Sequence, residues 1–194
     1  MAKSNSNSGG RYPRQIKLAD GRQISMRLMR PQDADEIVRF ARTLPEEDLL
    51  FLRSDITDPA IVADWARNLE RGATVTILSE IDEKLAGYAS IHLSEARWTR
   101  GVGEIRVNVG PSFRGLSLGK RLTAEIFDVA RSLNLRKITA MMTSDQPVAR
   151  AVFERLGFRV EALLSDWVED RHGQPRDLLV MSHDVHGLTD QVEA

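Results

Sequence analysis

Glu104 and the run from Val107 to Lys120 hold the residue types best suited to chemistry: a carboxylate, alternating β-formers, then a Gly/Ser-rich turn entering an amphipathic stretch. Within Gly103–Val109 the period is two, so Ile105, Val107 and Val109 share one face and Glu104, Arg106 and Asn108 the other. Beyond the turn, Leu122, Ile126, Val129, Ala130 and Leu133 fall on one stripe, which predicts a helix over Lys120–Leu133. A strand that runs through small residues into a helix start gathers unpaired N–H groups and the positive end of a helix dipole at one spot. Such a spot suits a diphosphate. Gly115 and Gly119 admit close backbone approach, while Arg114 and Lys120 bring charge. Taken alone, the same glycines are equally consistent with a tight turn that binds nothing. Two other phosphate motifs are excluded. A P-loop lysine is followed by Ser or Thr, whereas Lys120 precedes Arg121, and the G-x-G-x-x-G dinucleotide fingerprint is absent.

The flanking segments must position this run. Gln15–Leu18 and Gln23–Leu28 surround an Asp20-Gly21 pair and predict a hairpin. Pro31 opens a helix through Ala34, Ile37, Val38 and Ala41, and Asp58-Pro59 opens another through Ile61, Val62, Trp65, Ala66 and Leu69 that stops near Gly72. Ala73–Ile81 and Leu85–Leu93 read as a second hairpin. Lys137–Met142 is a strand, Gln146–Leu156 a helix ended by Gly157, and Phe158–Asp170 with Asp177–Val185 a closing strand pair. The sum is one α/β domain with a mixed, largely antiparallel sheet.

Arg114-Gly-Leu-Ser-Leu-Gly119 resembles the R/Q-x-x-G-x-G/A acyl-CoA loop of the GNAT acyltransferases, with Ser117 where the middle glycine is usual. Gln146-Pro-Val-Ala-Arg-Ala-Val-Phe-Glu-Arg-Leu-Gly-Phe158 is similar to the family's second signature, N-x-x-A-x-x-x-Y-E-x-x-G-F, with Ala149, Glu154, Gly157 and Phe158 in register. The stretch Leu18–Ala34 is similar to the start of such modules. The likeness runs over residues 14–186, between an N-terminal tail, 1–13, expected to be disordered, and a C-terminal tail, 187–194. It implies an α+β domain with a twisted sheet of about seven strands and about four flanking helices. It also implies an N-acetyltransferase that moves the acetyl group of acetyl-CoA directly onto a primary amine.

Under that resemblance the diphosphate would lie on Arg114, Gly115, Leu116, Ser117, Leu118, Gly119 and Lys120. Val107, Asn108 and Val109 would pair with the pantetheine arm like an added strand, where the strands part at a bulge. Gln146 and Phe153 would complete the cofactor site. Phe153 replaces the tyrosine that protonates the leaving thiolate in many members, and phenylalanine cannot donate a proton. A thiol of pKa about 8.5 is acidic enough for water or a neighbouring group to serve instead. An alkyl ammonium, with pKa about 10.4, must lose a proton before attack, and Glu104 is the base candidate. A salt bridge to Arg106 or another cation is the competing role for this glutamate.

Other candidates carry less. His92, at a strand end, could act through water or be an ordinary hydrogen-bonded residue, and Trp98 is a candidate for the acceptor side, built from the first helices and residues 93–102. His172, His183 and His186 show no ligand spacing, so no metal is expected. Ser117 lacks a nucleophile elbow. The 194 residues carry a net charge of −1 and no cysteine, which argues against nucleic-acid binding, thiolate chemistry and disulfides. No apolar run approaches membrane-spanning length, and a cytoplasmic protein is expected. The acceptor, a small molecule or a protein amine, stays open, and the resemblance leaves room for a homodimer. A non-catalytic acyl-CoA-binding or sensing domain is the alternative, favoured by Ser117 and Phe153; a nucleotide-binding protein of another fold is a third.

Overall fold

The computed structural model describes residues 11–18, 20–49 and 52–186. Most of the two predicted tails therefore lies outside the described residues. Eight strands form one sheet: β1 (Arg14–Lys17), β2 (Gln23–Leu28), β3 (Thr74–Ile81), β4 (Lys84–Leu93), β5 (Val102–Val109), β6 (Lys137–Thr143), β7 (Arg159–Glu169) and β8 (Pro175–Asp184). Their spatial order is β1-β2-β3-β4-β5-β6-β8-β7, antiparallel throughout except for the parallel pair β5–β6. The helices are α1 (Ala34–Ala41), α2 (Glu46–Leu49), α3 (Pro59–Glu70), α4 (Leu118–Ser132) and α5 (Pro147–Arg155).

Local chemistry explains these elements. Asp58 caps α3 by accepting the Ala60 N–H at 2.8 Å, with Pro59 at the first helical position, and Gly72 at φ +69° ends it. Hydrophobic spacing on α4 buries Leu118, Leu122, Ile126, Val129 and Ala130 against one face of β3, β4 and β5. On the opposite face, Ile37 and Val38 of α1 and Val62 and Trp65 of α3 pack on Leu78 and Tyr88. Each fully buried aliphatic side chain stabilises the fold by about 1.5–3 kcal/mol, so these two apolar layers fix the strands between them. Gly87 on β4 faces β5 so closely that a Cβ there would lie 2.6 Å from the Asn108 carbonyl oxygen. Ahead of β1, Tyr12 donates to the buried Glu125 of α4 at 2.9 Å, which ties the start of the described chain to the helix that follows β5.

Candidate active site

β5 and β6 run side by side only from Val102↔Lys137 to Glu104↔Thr139. Gly110 donates to the Ala86 carbonyl at 2.8 Å, and an antiparallel strand sends alternate residues' backbone groups to opposite edges. Glu104, Arg106 and Asn108 therefore spend theirs on β4, while Ile105, Val107 and Val109 turn theirs toward β6. Past Glu104 the Val107 backbone and the Val109 amide have no strand partner among the described residues. The β4–β5 register is unbroken through this stretch, so the strands part without the expected bulge. Asn108 also differs from expectation: its backbone belongs to β4, and its side-chain amide donates to Tyr88 Oη at 2.7 Å.

The strand then enters a loop with two left-handed residues, Gly115 at φ +78° and Ser117 at φ +60°. Among the described residues, nothing lies within 4 Å of where a Gly115 Cβ would sit. Among the described residues, no hydrogen bond occupies the N–H groups from Gly115 to Lys120, and α4 begins without a side-chain cap. Free donors in a row at a helix N-terminus can hold an anion, and these fall within residues 114–120, where the sequence suggests a diphosphate. Helix α4 starts at Leu118, two residues before the predicted start, because Leu118 already belongs to the buried stripe. Arg114, half-exposed, forms an ion pair with Asp48 of α2, and its Nε lies 3.4 Å from the Val109 carbonyl oxygen. The left-handed backbone at Ser117 explains why glycine suits that position. Left-handed geometry costs a non-glycine residue about 1–2 kcal/mol, and glycine's extra unfolded-state entropy offsets part of this. Ser117→Gly is therefore expected to raise stability by about 0.5–1 kcal/mol, read as a rise of about 1–4 °C in melting temperature.

Between the parted strands lies a cleft of about 870 Å³. Its walls include Glu104, Val107, Asn108 and Val109 from β5, Arg114, Gly119, Gln146 and Phe153 from the helix side, and Leu164, Trp167 and Val180 from the β7–β8 pair. Gln146 and Phe153 are half-buried, and the Phe153 ring packs edge-on against Phe158 with centroids 5.0 Å apart. Of the cleft's hydroxyls, Thr123 donates to the Gly119 carbonyl at 2.8 Å and Tyr88 is bonded by Asn108. Thr143 Oγ1 is buried with no partner among the described residues.

Glu104 stands where the strands separate. Both carboxylate oxygens are engaged, Oε1 by Arg106 Nε at 3.0 Å and Oε2 by Arg53 Nη1. It thus occupies the cleft and also makes the salt bridge weighed as its competing role. Arg53 escaped sequence reasoning, since it lies in an unpatterned loop more than fifty positions upstream. The strand pairing shows a signal that was available: Tyr88, Ser90 and His92 oppose Asn108, Arg106 and Glu104, so two alternating polar sets form one stripe.

His92 ends this stripe, its ring bonded to Ser90 Oγ at 2.9 Å and Thr74 Oγ1 at 3.2 Å. Burial, reinforced by the Arg106 and Arg53 cations, pushes its pKa down to about 3. Above pH 6.5 the imidazole is neutral in folded and unfolded chain alike. As pH falls from 6.5 toward 3, the unfolded chain binds a proton that the folded one refuses, so stability declines through that window. His92→Gln should flatten the decline between pH 6.5 and 5, measured by urea unfolding at each pH. The ring, with Trp65, Asn68, Ser54 and Arg106, lines a second cavity of about 280 Å³ that shares Ser54, Ile56, Tyr88 and Arg106 with the main cleft. Trp98 is 89% exposed and, like the rest of residues 93–102, lines neither cavity, which corrects its expected place on the acceptor side.

Among the described residues, no group of three or more His, Cys, Asp or Glu is arranged to hold a metal ion, and no helix is long and apolar enough to cross a membrane. A comparison with curated proteins finds no match. Solved structures of similar fold include the ribosomal-protein-alanine N-acetyltransferase from Brucella melitensis, with TM-score 0.73 and 22% identity over 82% of this chain and 98% of that one. Another is yncA from Salmonella typhimurium, solved with its cofactor acetyl-CoA, with TM-score 0.71 and 21% identity over 84% of this chain and 94% of that one. A third is a chimera of the spermidine N-acetyltransferase SpeG from Vibrio cholerae, with TM-score 0.69 and 18% identity over 84% and 96%. At these identities the likeness is one of fold. The model of the acetyltransferase (GNAT) family matches residues 36–158, more than half of the sequence, from within α1 through the parted strands to Phe158. The chain therefore belongs to the acetyltransferase (GNAT) family and is an acyltransferase enzyme.

Proposed function

We propose that this enzyme transfers the acetyl group of acetyl-CoA to a primary amine by direct attack of the amine on the thioester. The observation that carries this reading is the end of β5–β6 pairing at Glu104, which leaves a free strand edge leading to an uncapped helix start. The Val107 and Val109 backbone groups would pair with the pantetheine arm, and the amides from Gly115 to Lys120, with Arg114 and Lys120, would hold the diphosphate. Arg114 pairs with Asp48 through Nη2, so Nη1 is the nitrogen it would offer to the diphosphate.

In the reaction the amine nitrogen bonds to the acetyl carbon and the carbon–sulfur bond breaks. Glu104 accepts the amine's proton, directly or through water, and the Val109 amide is available to stabilise the oxyanion. Phe153 offers no proton to the departing thiolate, which would leave as the anion of a fairly acidic thiol and take its proton from solvent. Holding both reactants in one cleft accounts for most of the acceleration.

Calorimetric titration with acetyl-CoA, followed by a free-CoA release assay across a panel of amines, tests this directly. Binding together with release on at least one amine is expected. Binding without release on any amine would favour an acyl-CoA sensor, to which the absence of a phenol at Phe153 lends its support, and failure to bind would contradict both.

A further inference from the structure

The cleft's charges select among amines. Glu104 is a single carboxylate held between two guanidiniums, Arg106 and Arg53. The other charges nearby cancel locally or stand apart: Asp48 is paired with Arg114, Asp64 with Arg67, and Glu169 is on the far wall at the end of β7. The point where the amine must arrive thus carries a surplus positive charge. A polyamine would meet repulsion there. Arg106 uses only Nε on Glu104, and among the described residues its two terminal nitrogens have no bonded partner, although the side chain borders both cavities. A planar guanidinium with both terminal NH2 groups free matches a carboxylate.

The neighbouring cavity is small, about 280 Å³, and neutral at its floor, where Ser90 and His92 bond each other. That volume falls at the lower end of small-molecule sites. Resting on the acetyltransferase reading above, we propose that the acceptor is a small amine that also carries a carboxylate, an amino-acid-type molecule whose acidic group engages Arg53 and Arg106 and whose side chain enters the His92 cavity. This arrangement answers a difficulty in the free site. Both Glu104 oxygens are occupied, so a proton acceptor must first be released. A substrate carboxylate that takes over the exposed Arg53 frees Glu104 Oε2 beside the substrate's own amine. The acceptor would thereby unmask the base that deprotonates it, and an amine lacking the acidic group would leave the base masked.

The test measures free-CoA release and product mass with the full chain at saturating acetyl-CoA, across amino acids, their amides, their decarboxylated amines and spermidine. The best acceptor is expected to be a free amino acid, with kcat/KM about 10- to 100-fold above its own amide and amine, the range set by one or two charged hydrogen bonds. Arg53→Gln, at an exposed position, should raise KM for that amino acid about tenfold and, by freeing Glu104 Oε2, raise kcat/KM for the amide, while Arg106→Lys, which keeps the charge but loses the fork, should cut the preference for the amino acid over its amide about tenfold. A purely structural role would lower both substrates alike. Amides or spermidine turned over as well as the amino acid, or variants that harm both classes equally, would overturn the acceptor class and leave the acetyltransferase standing. Acetyl-CoA binding without release on any member would overturn both.

Discussion

Replacing Glu104 with glutamine is expected to lower kcat by about 10²- to 10³-fold near neutral pH, within the range of a positioned general base. Glutamine keeps the size and the hydrogen-bonding oxygen but cannot take a proton. Acetyl-CoA affinity should stay nearly unchanged, because the cradle from Gly115 to Lys120 and the strand edge at Val107 and Val109 lie beyond residue 104 on the cofactor side. The pH dependence gives the sharper signature. An amine stays protonated well above neutrality, so the variant's deficit should be greatest at low pH and shrink as the free amine accumulates. A variant whose pH–rate profile parallels the parent's would remove Glu104 from the base role and reduce it to an anchor for Arg53 and Arg106.

The second large effect concerns stability. Leu122 is fully buried, on the face of α4 that packs under β4 and β5. Truncation of a leucine at such a site removes transfer free energy and leaves a cavity, so Leu122→Ala should cost about 3–4 kcal/mol. For a chain of this size that is about 6–16 °C in melting temperature. Arg131→Ala, on the exposed side of the same helix, should stay within about 0.5 kcal/mol of the parent. Saturating acetyl-CoA should restore part of the loss, about 2.7 kcal/mol at a hundredfold excess over Kd, since it binds only the folded chain. Equal melting temperatures for the two variants would mean that α4 is not packed as described.

These two residues differ in how far the sequence alone reveals them. Leu122 is evident because helical spacing marks a buried stripe irrespective of the rest of the fold, and the same periodicity locates α1 and α3, while α5 is marked by its Gly157 stop. Strand alternation did as much for Glu104 and assigned it to the polar face of β5. Short-range rules ended where periodicity did. The four-residue helix α2 repeats no pattern, yet it carries Asp48, the partner of Arg114. The β3–β4 turn uses Asp82 and Glu83 at positive φ, positions that usually draw glycine or asparagine. Gly119 reads as loop but belongs to the first turn of α4.

The site itself needed tertiary structure. Arg53 reaches Glu104 from a loop, and the His92 cavity joins α3 to β4 across segments far apart in sequence. Trp98 illustrates the converse: an aromatic flanked by arginines invites a binding role, but its short helical turn projects into solvent. The parting of β5 from β6 also left no mark in composition. It arises because β6 continues beside β8 while β5 stays with β4, and pairing patterns of that range are not written in either strand alone.

Amide hydrogen exchange with and without coenzyme A tests the central claim most directly. The account predicts slowed exchange at Val107, Val109 and the amides from Gly115 to Lys120, with little change along β1 and β2. Unaltered exchange at those amides under saturating coenzyme A, or protection concentrated elsewhere on the molecule, would contradict it.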